Sequence, residues 1–454
     1  MKTTLRTALV TAALALPLAA ANASGAWAQS LEDTLVSAYE TNPTLAAQRT
    51  RLRQAEEGYY QARAGRLPSV SASADVSESE RWGGGFFNNP QGSIGYGVSI
   101  NQPLYRGGRT SGAIDSALAR IEASRAQLRS TEQSVLIDAV AAHAEAVRDQ
   151  QVVGIRSNNV DVLAEQLRAA RDRFEVGEIT RTDVAQAEAR LSGARAQLSA
   201  AQAALAASRA RYARVTGVEV TEPDAPTAAP NLPENLGDAL ETALSTNPDL
   251  LAAEYSERAA ELGVQVARGA LRPEVSLSAR ASESRQSDFT GQALGSATVS
   301  ANVSVPIFTG GLNRSRVREA LASADEARLG SLNVRRQVIE GVTNAWNNYL
   351  AAQAVIESSR QAVRANEIAF EGVEQEAFVG LRTTLDVLNA EQELLNSRLE
   401  LVRAERDLTV ASYGVLQSMG LLGARTLALP VETPEQNDSF TPGSGLELDL
   451  TPWN

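Results

Sequence analysis

Two spacings of apolar residues alternate along this chain, and each is written twice. Val70, Ala72, Ala74 and Val76 are separated by serines and Asp75, and Ile94, Tyr96, Val98, Ile100 and Leu104 are set among serines, glycines and Asn101. The same period of two returns in Val275, Leu277 and Ala279 and again in Val299, Ala301, Val303 and Val305. A period of two predicts strands with one apolar face, and the glycine-rich, polar segments 81–92 and 283–295 predict the turns between them. Each half therefore holds one amphipathic β-hairpin, about 68–106 and 273–308. The rest is written at helical spacing: 31–66 and 236–271, then the proline-free stretches 110–175 and 312–377, then helices running back over 183–214 and 386–419. At 1.5 Å per residue the long stretches reach roughly 100 Å, more than any compact core. Such helices need partners along their whole length, which predicts coiled-coil-like packing. Alanine-rich runs such as 199–213 permit close approach of neighbours.

The repetition extends to single residues. Thr41-Asn42-Pro43 recurs as Thr246-Asn247-Pro248, "QPLYRGG" (102–108) as "VPIFTGG" (305–311), and "GEITRTDV" (177–184) as "GLRTTLDV" (380–387). The chain is an internal duplication, divided into repeats at 29–216 and 236–425. The proline- and acid-rich segment 217–235 joins them as a linker. Each Thr-Asn-Pro is expected to punctuate a helix, with proline opening the next segment. In the third phrase, Thr180 with Asp183 and Thr383 with Asp386 have the spacing of a capping box. Gly177 and Gly380 supply the left-handed residue that ends a helix. Both phrases are thus helix–turn–helix tips.

Composition narrows the function. Residues 1–28 have the form of a secretion signal: Lys2 and Arg6, an apolar run from Ala8 to Ala20, and Ala26-Trp27-Ala28 as a cleavage site. Losing that segment deepens the net charge of −12 by two, which disfavours nucleic acid as a partner. There is no cysteine, so disulfides, thiolate metal sites and cysteine nucleophiles are excluded. The one histidine, His143, lies in a helical pattern and is expected to be structural. No glycine loop for phosphates, zinc-protease motif or catalytic triad is present, so no enzyme and no cofactor are expected. From 426 to 454 the chain is acidic and, after Pro430, without periodicity, and is expected to be disordered.

Four strands cannot close a barrel, and an open sheet in lipid leaves unsatisfied edges. If these hairpins are membrane strands, several chains share one barrel. The signal segment, the duplicated strand–strand–long helix–tip–helix order and the two tip phrases resemble the TolC family of outer-membrane efflux and type I secretion ducts, over about residues 30–425. That resemblance implies a fold that is mainly α with membrane β: a homotrimer with a twelve-stranded outer-membrane β-barrel, continued by a periplasmic α-helical coiled-coil barrel. It implies a gated passive duct, exporting small molecules or proteins, embedded in outer-membrane lipid with a long periplasmic extension. It also implies a periplasmic adaptor and an inner-membrane transporter of the RND or ABC type as partners. Residue by residue, it places adaptor-contacting tips at Val176-Gly177 and Val379-Gly380-Leu381, and gate links between Arg382 and Thr182 and Asp183. A pore-mouth ring falls at Asp386 and Asn389, of which only the first is acidic. The family's tyrosine three residues before the glycine is Ala377 here, which implies a looser or differently held closed state. No selective pocket for cargo is expected. The alternative is a periplasmic adaptor or structural coiled-coil protein without pore activity.

Overall fold

The computed structural model describes residues 29–79, 91–286 and 293–432; the secretion segment expected at 1–28 and most of the tail lie outside them. Each repeat contributes two short helices, two strands, one long helix and one returning helix. In the first these are α1 (Leu31–Thr41), α2 (Pro43–Ala64), β1 (Ser69–Ser79), β2 (Gln91–Arg106), α3 (Arg109–Glu175) and α4 (Arg181–Thr216). In the second they are α5 (Leu236–Thr246), α6 (Pro248–Gly269), β3 (Glu274–Gln286), β4 (Ala293–Ser304), α7 (Leu312–Phe378) and α8 (Thr384–Met419).

The strands form one antiparallel sheet in the order β1-β2-β3-β4, so the two hairpins join through β2 and β3 and leave β1 and β4 as edges. Register puts Val70, Ile100, Ala279 and Val299 in one row across all four strands. That face is exposed: Val299 keeps 73% of its surface. On the other face serines pair across the strands, Ser71 with Ser99 at 2.8 Å and Ser278 with Ser300 at 2.9 Å. One face is therefore suited to hydrocarbon and the other to water, as a barrel stave requires.

The strand-to-helix corner depends on glycine. Gly107 has φ +66°, and a Cβ there would stand 2.3 Å from the carbonyl oxygen of Gly269. Glu274 at the start of β3 accepts from Arg106 and Arg109 at 3.1 and 2.5 Å, tying the two repeats together at that corner.

Below the sheet, α3 is one uninterrupted helix, but the column beside it is built from two. The shorter α2 and α4 pack against successive parts of α3, and Thr-Asn-Pro is their joint. Asn42 Oδ1 accepts from Thr44 N–H to cap α2, while Nδ2 donates to Val215 O at the end of α4, at 3.0 Å. Thr41 Oγ1 donates to Thr216 O. Asn247 and Thr246 make the same bonds to Ser418 O and Met419 O. The phrase therefore satisfies the last carbonyls of one helix with the side chains that begin the next, a fuller role than the punctuation expected from sequence.

The largest apolar cluster surrounds these joints. Leu35, Leu136, Val140, Tyr212, Val215, Leu250, Val342, Val415 and Leu422 pack there, with Val220 and Ala229 from the inter-repeat segment. That segment is thus a packed strap rather than a free linker. His143 is fully buried at this level. Its Nε2 meets Asp224 O at 2.9 Å and its Nδ1 meets Thr34 Oγ1 at 2.8 Å. Burial holds it below the usual histidine pKa, so it is a neutral structural cross-link between α1, α3 and the strap. Packing also continues past 425: Leu427, Leu429 and Val431 lie against the core, so the disorder expected from 426 does not begin there. Apolar alternation in this short stretch recruits it to the joint.

Candidate functional site

At the end remote from the sheet, each pair of long helices turns over in five residues. The first tip closes with Glu178 N–H donating to Arg173 O at 2.9 Å, the second with Leu381 N–H donating to Glu376 O at 2.8 Å. Both bonds span a left-handed glycine, Gly177 at φ +81° and Gly380 at +80°. The next helix starts on a complete capping box in both copies. Asp183 Oδ2 accepts from Thr180 N–H and Oγ1 at 2.9 and 2.8 Å; Asp386 Oδ2 does the same with Thr383 at 3.0 and 2.8 Å. The Thr180 hydroxyl and N–H hold Asp183 below the usual carboxylate range. For Asp386 the Thr383 N–H and hydroxyl do so, with a smaller contribution from Arg382. Both carboxylates are ionised at neutral pH and cap their helices.

What the tips present is apolar. Val176, Val379 and Leu381 are 66–76% exposed, and Phe378 is 81% exposed. Among the remaining positions singled out by sequence, Thr182 is exposed in the first turn of α4. Arg382 does not bond to Thr182 or Asp183 within the chain. Its Nε donates to Glu376 Oε2 at 2.7 Å, across its own turn, which raises the guanidinium pKa further. Asn389 accepts from Arg190 Nη2 at 3.1 Å, joining α8 of the second copy to α4 of the first. A second bond between copies runs from Asn159 Nδ2 on α3 to Glu391 Oε1 on α8 at 2.7 Å. Sequence reasoning missed Arg190 and Glu391, because their partners are set by how the two helical pairs sit side by side, and Glu376, because its partner is set by the shape of the tip turn. No group of three or more acidic, histidine or cysteine side chains is placed to hold a metal ion among the described residues, and none of the described helices is long and apolar enough to cross a membrane.

The arrangement is therefore a sheet of lipid-suited staves on a long helical wall, ending in apolar tips. Comparison with known proteins agrees. The family model described as outer membrane efflux protein matches twice, at 34–218 and 239–421, once per repeat. The outer membrane efflux protein BepC of Brucella suis is 35% identical over 424 residues, covering 93% of this chain and 92% of its own. The outer membrane protein TolC of Vibrio cholerae is 25% identical over 88% of this chain and 92% of its own. The crystal structure of VceC, also from Vibrio cholerae, superposes with a TM-score of 0.73 at 22% identity, over 86% of this chain and 96% of that one. An adaptor or structural coil without a pore is excluded. The chain belongs to the outer membrane efflux protein family, the TolC family, and is a subunit of a trimeric outer-membrane efflux and secretion channel with a periplasmic helical extension, not an enzyme.

Proposed function

We propose that this channel is the outer-membrane duct of a tripartite exporter, in which periplasmic adaptor hairpins seat on Val176-Gly177 and on Val379-Gly380-Leu381 and connect it to an inner-membrane transporter of the RND or ABC type. One observation carries this reading: Phe378, Val379 and Leu381 stay exposed to water on a turn fixed by a left-handed glycine and a capping box. Exposed apolar groups on a fixed scaffold mark a docking surface. The two tips are not equal. Glu178 stands where the second tip has Leu381, so the second is the more apolar seat.

In the same reading Arg382 holds the mouth closed. It exchanges Glu376 of its own tip for Thr182 and Asp183 of a neighbouring first-copy tip, and with Ala377 in place of the family's tyrosine the closed state is held more loosely. Asp386 gives the trimer three carboxylates at the mouth, favouring cations, while Asn389 serves the link to Arg190 rather than a second acidic ring. Cargo is selected by the pump.

The test is a photo-crosslinking amino acid at Leu381, and separately at Glu178, in cells expressing the chain from its native locus. Crosslinks to a periplasmic adaptor, stronger from 381, are the expected result. An assembled, export-competent channel with no adaptor crosslink at either position overturns the proposal.

A further inference from the structure

The two helical pairs differ in one buried acid. By the repeat offset Glu391 on α8 corresponds to Glu188 on α4. Glu188 is exposed and pairs with Arg171 of α3 at 3.4 Å. In the second copy, Glu374 and Glu371 of α7 occupy the positions of Arg171 and Arg168. Opposite charge has become like charge. Glu391 is nonetheless 7% exposed. Asn159 satisfies its Oε1, but its Oε2 is buried with no hydrogen-bond partner among the described residues.

Glu391 lines a crevice of about 560 Å³ where α3, α7 and α8 of one chain meet. From α7 come Glu367, Glu371 and Glu374 with Phe370; from α3 come the uncharged Asn158 and Asn159; α8 adds Arg398, the one cation among the lining residues. Arg398 is engaged by Glu367 at 2.9 Å, so it leaves the other three carboxyls unbalanced. These acids do not converge tightly enough for a bare metal ion. The volume lies in the range of small-molecule sites, and Ile155, Phe370 and Leu394 supply apolar surface.

We propose that this crevice binds an organic cation with a flat apolar body, its charge set between Glu391 and the Glu371 and Glu374 carboxyls and its body against Phe370 and Leu394. A buried acceptor without a partner is costly, and a cation supplies the missing partner. Phe370 offers a ring face to the same charge. Burial pushes the Glu391 carboxyl up to about 7; the Asn159 bond opposes the rise and the Glu374 charge adds to it. At neutral pH about half of the subunits are thus protonated there, and the cation displaces that proton. Binding strengthens as pH rises through 7. The site lies away from the tip residues Val379, Gly380 and Leu381 and does not depend on adaptor docking.

Ethidium binding to the purified trimer in detergent, followed by fluorescence anisotropy, tests this directly. Affinity is expected to rise about tenfold between pH 6 and pH 8, as the ionised fraction does for one such group, with proton uptake by the medium. Glu391→Gln should weaken binding at pH 8 and reduce the pH dependence to less than twofold. The double variant Glu371→Gln, Glu374→Gln, on exposed positions that do not endanger folding, should weaken it as well. Glu188→Gln should not. Equal affinity in the wild type, Glu391→Gln and the double variant, or a flat pH profile in the wild type, overturns the proposal.

Discussion

The long helices α3 and α7 have the same length, 67 residues, and descend from one template. Yet α3 buries 21 of its residues and α7 only six. The difference is position, not composition. Within the chain α3 has neighbours on every flank, α2, α4, α6 and α8, whereas α7 packs chiefly on α6 and α8, with α5 at its upper end. Leu329 and Leu332 on α7 remain 59% and 47% exposed. In the sheet each copy likewise has one strand paired on both sides, β2 or β3, and one open edge, β1 or β4. A ring of repeats cut at one point looks like this. Each half keeps one open flank, α7 in the second and α4 in the first, where α4 buries eight residues against fifteen in α8, and a neighbouring subunit of the trimer completes both.

The strongest way to break this comparison is to charge the unfinished face. Leu329→Asp with Leu332→Asp should abolish the trimer on unheated gels and in size-exclusion chromatography while leaving helicity intact. Val140→Asp in α3, where the side chain is fully buried, should instead prevent folding. Next, Val299→Arg on the apolar face of β4 should cost about 2–4 kcal/mol near the bilayer midplane, read as reduced trimer in membrane fractions. Ser300→Arg on the opposite face should leave assembly close to normal.

The acids separate the halves in a third way. Glu391 keeps its proton in the folded chain up to about 7, whereas an ordinary glutamate loses it near 4.5. Between those values the folded state holds the proton and the unfolded chain does not, so stability falls as pH rises and levels off above 7. Glu391→Gln should therefore remove a loss on the order of 3 kcal/mol per subunit at pH 8 and change little at pH 4. The thermal unfolding midpoint against pH measures this. Glu188→Gln, in an exposed pair, should stay within about 1 kcal/mol at every pH. Smallest in stability terms is the tip: Arg382→Ser should raise single-channel conductance and antibiotic leakage, while Ile179→Ser at the matching place in the first copy should not.

Much of this was legible in the residues. Serine alternation gave the staves their two faces, the absence of proline gave the long helices, and Thr180 with Asp183 gave the cap, because each is decided within a few positions. The Thr-Asn-Pro joint was visible only in part. Asn42 announces a helix start, but its bond to Val215 O joins residues 173 positions apart. Arg382 was assigned by resemblance to Thr182 and Asp183, and in the single chain it rests on Glu376, six residues back across a turn whose shape the glycine sets. Glu391 looks like any helical surface glutamate until α3 covers it. A trace was present nonetheless, in the exchange of Arg171 and Arg168 for Glu374 and Glu371 between the copies.

The joint at Asn42 and Asn247 has a mechanical consequence. A column continuous on one side and spliced on the other is stiff against stretching but yields to bending toward the splice. Bending at the splice would displace the lower coils α4 and α8 while leaving the upper segments α2 and α6, and the staves above them, in place. The lipid-embedded ring need not feel the motion at all.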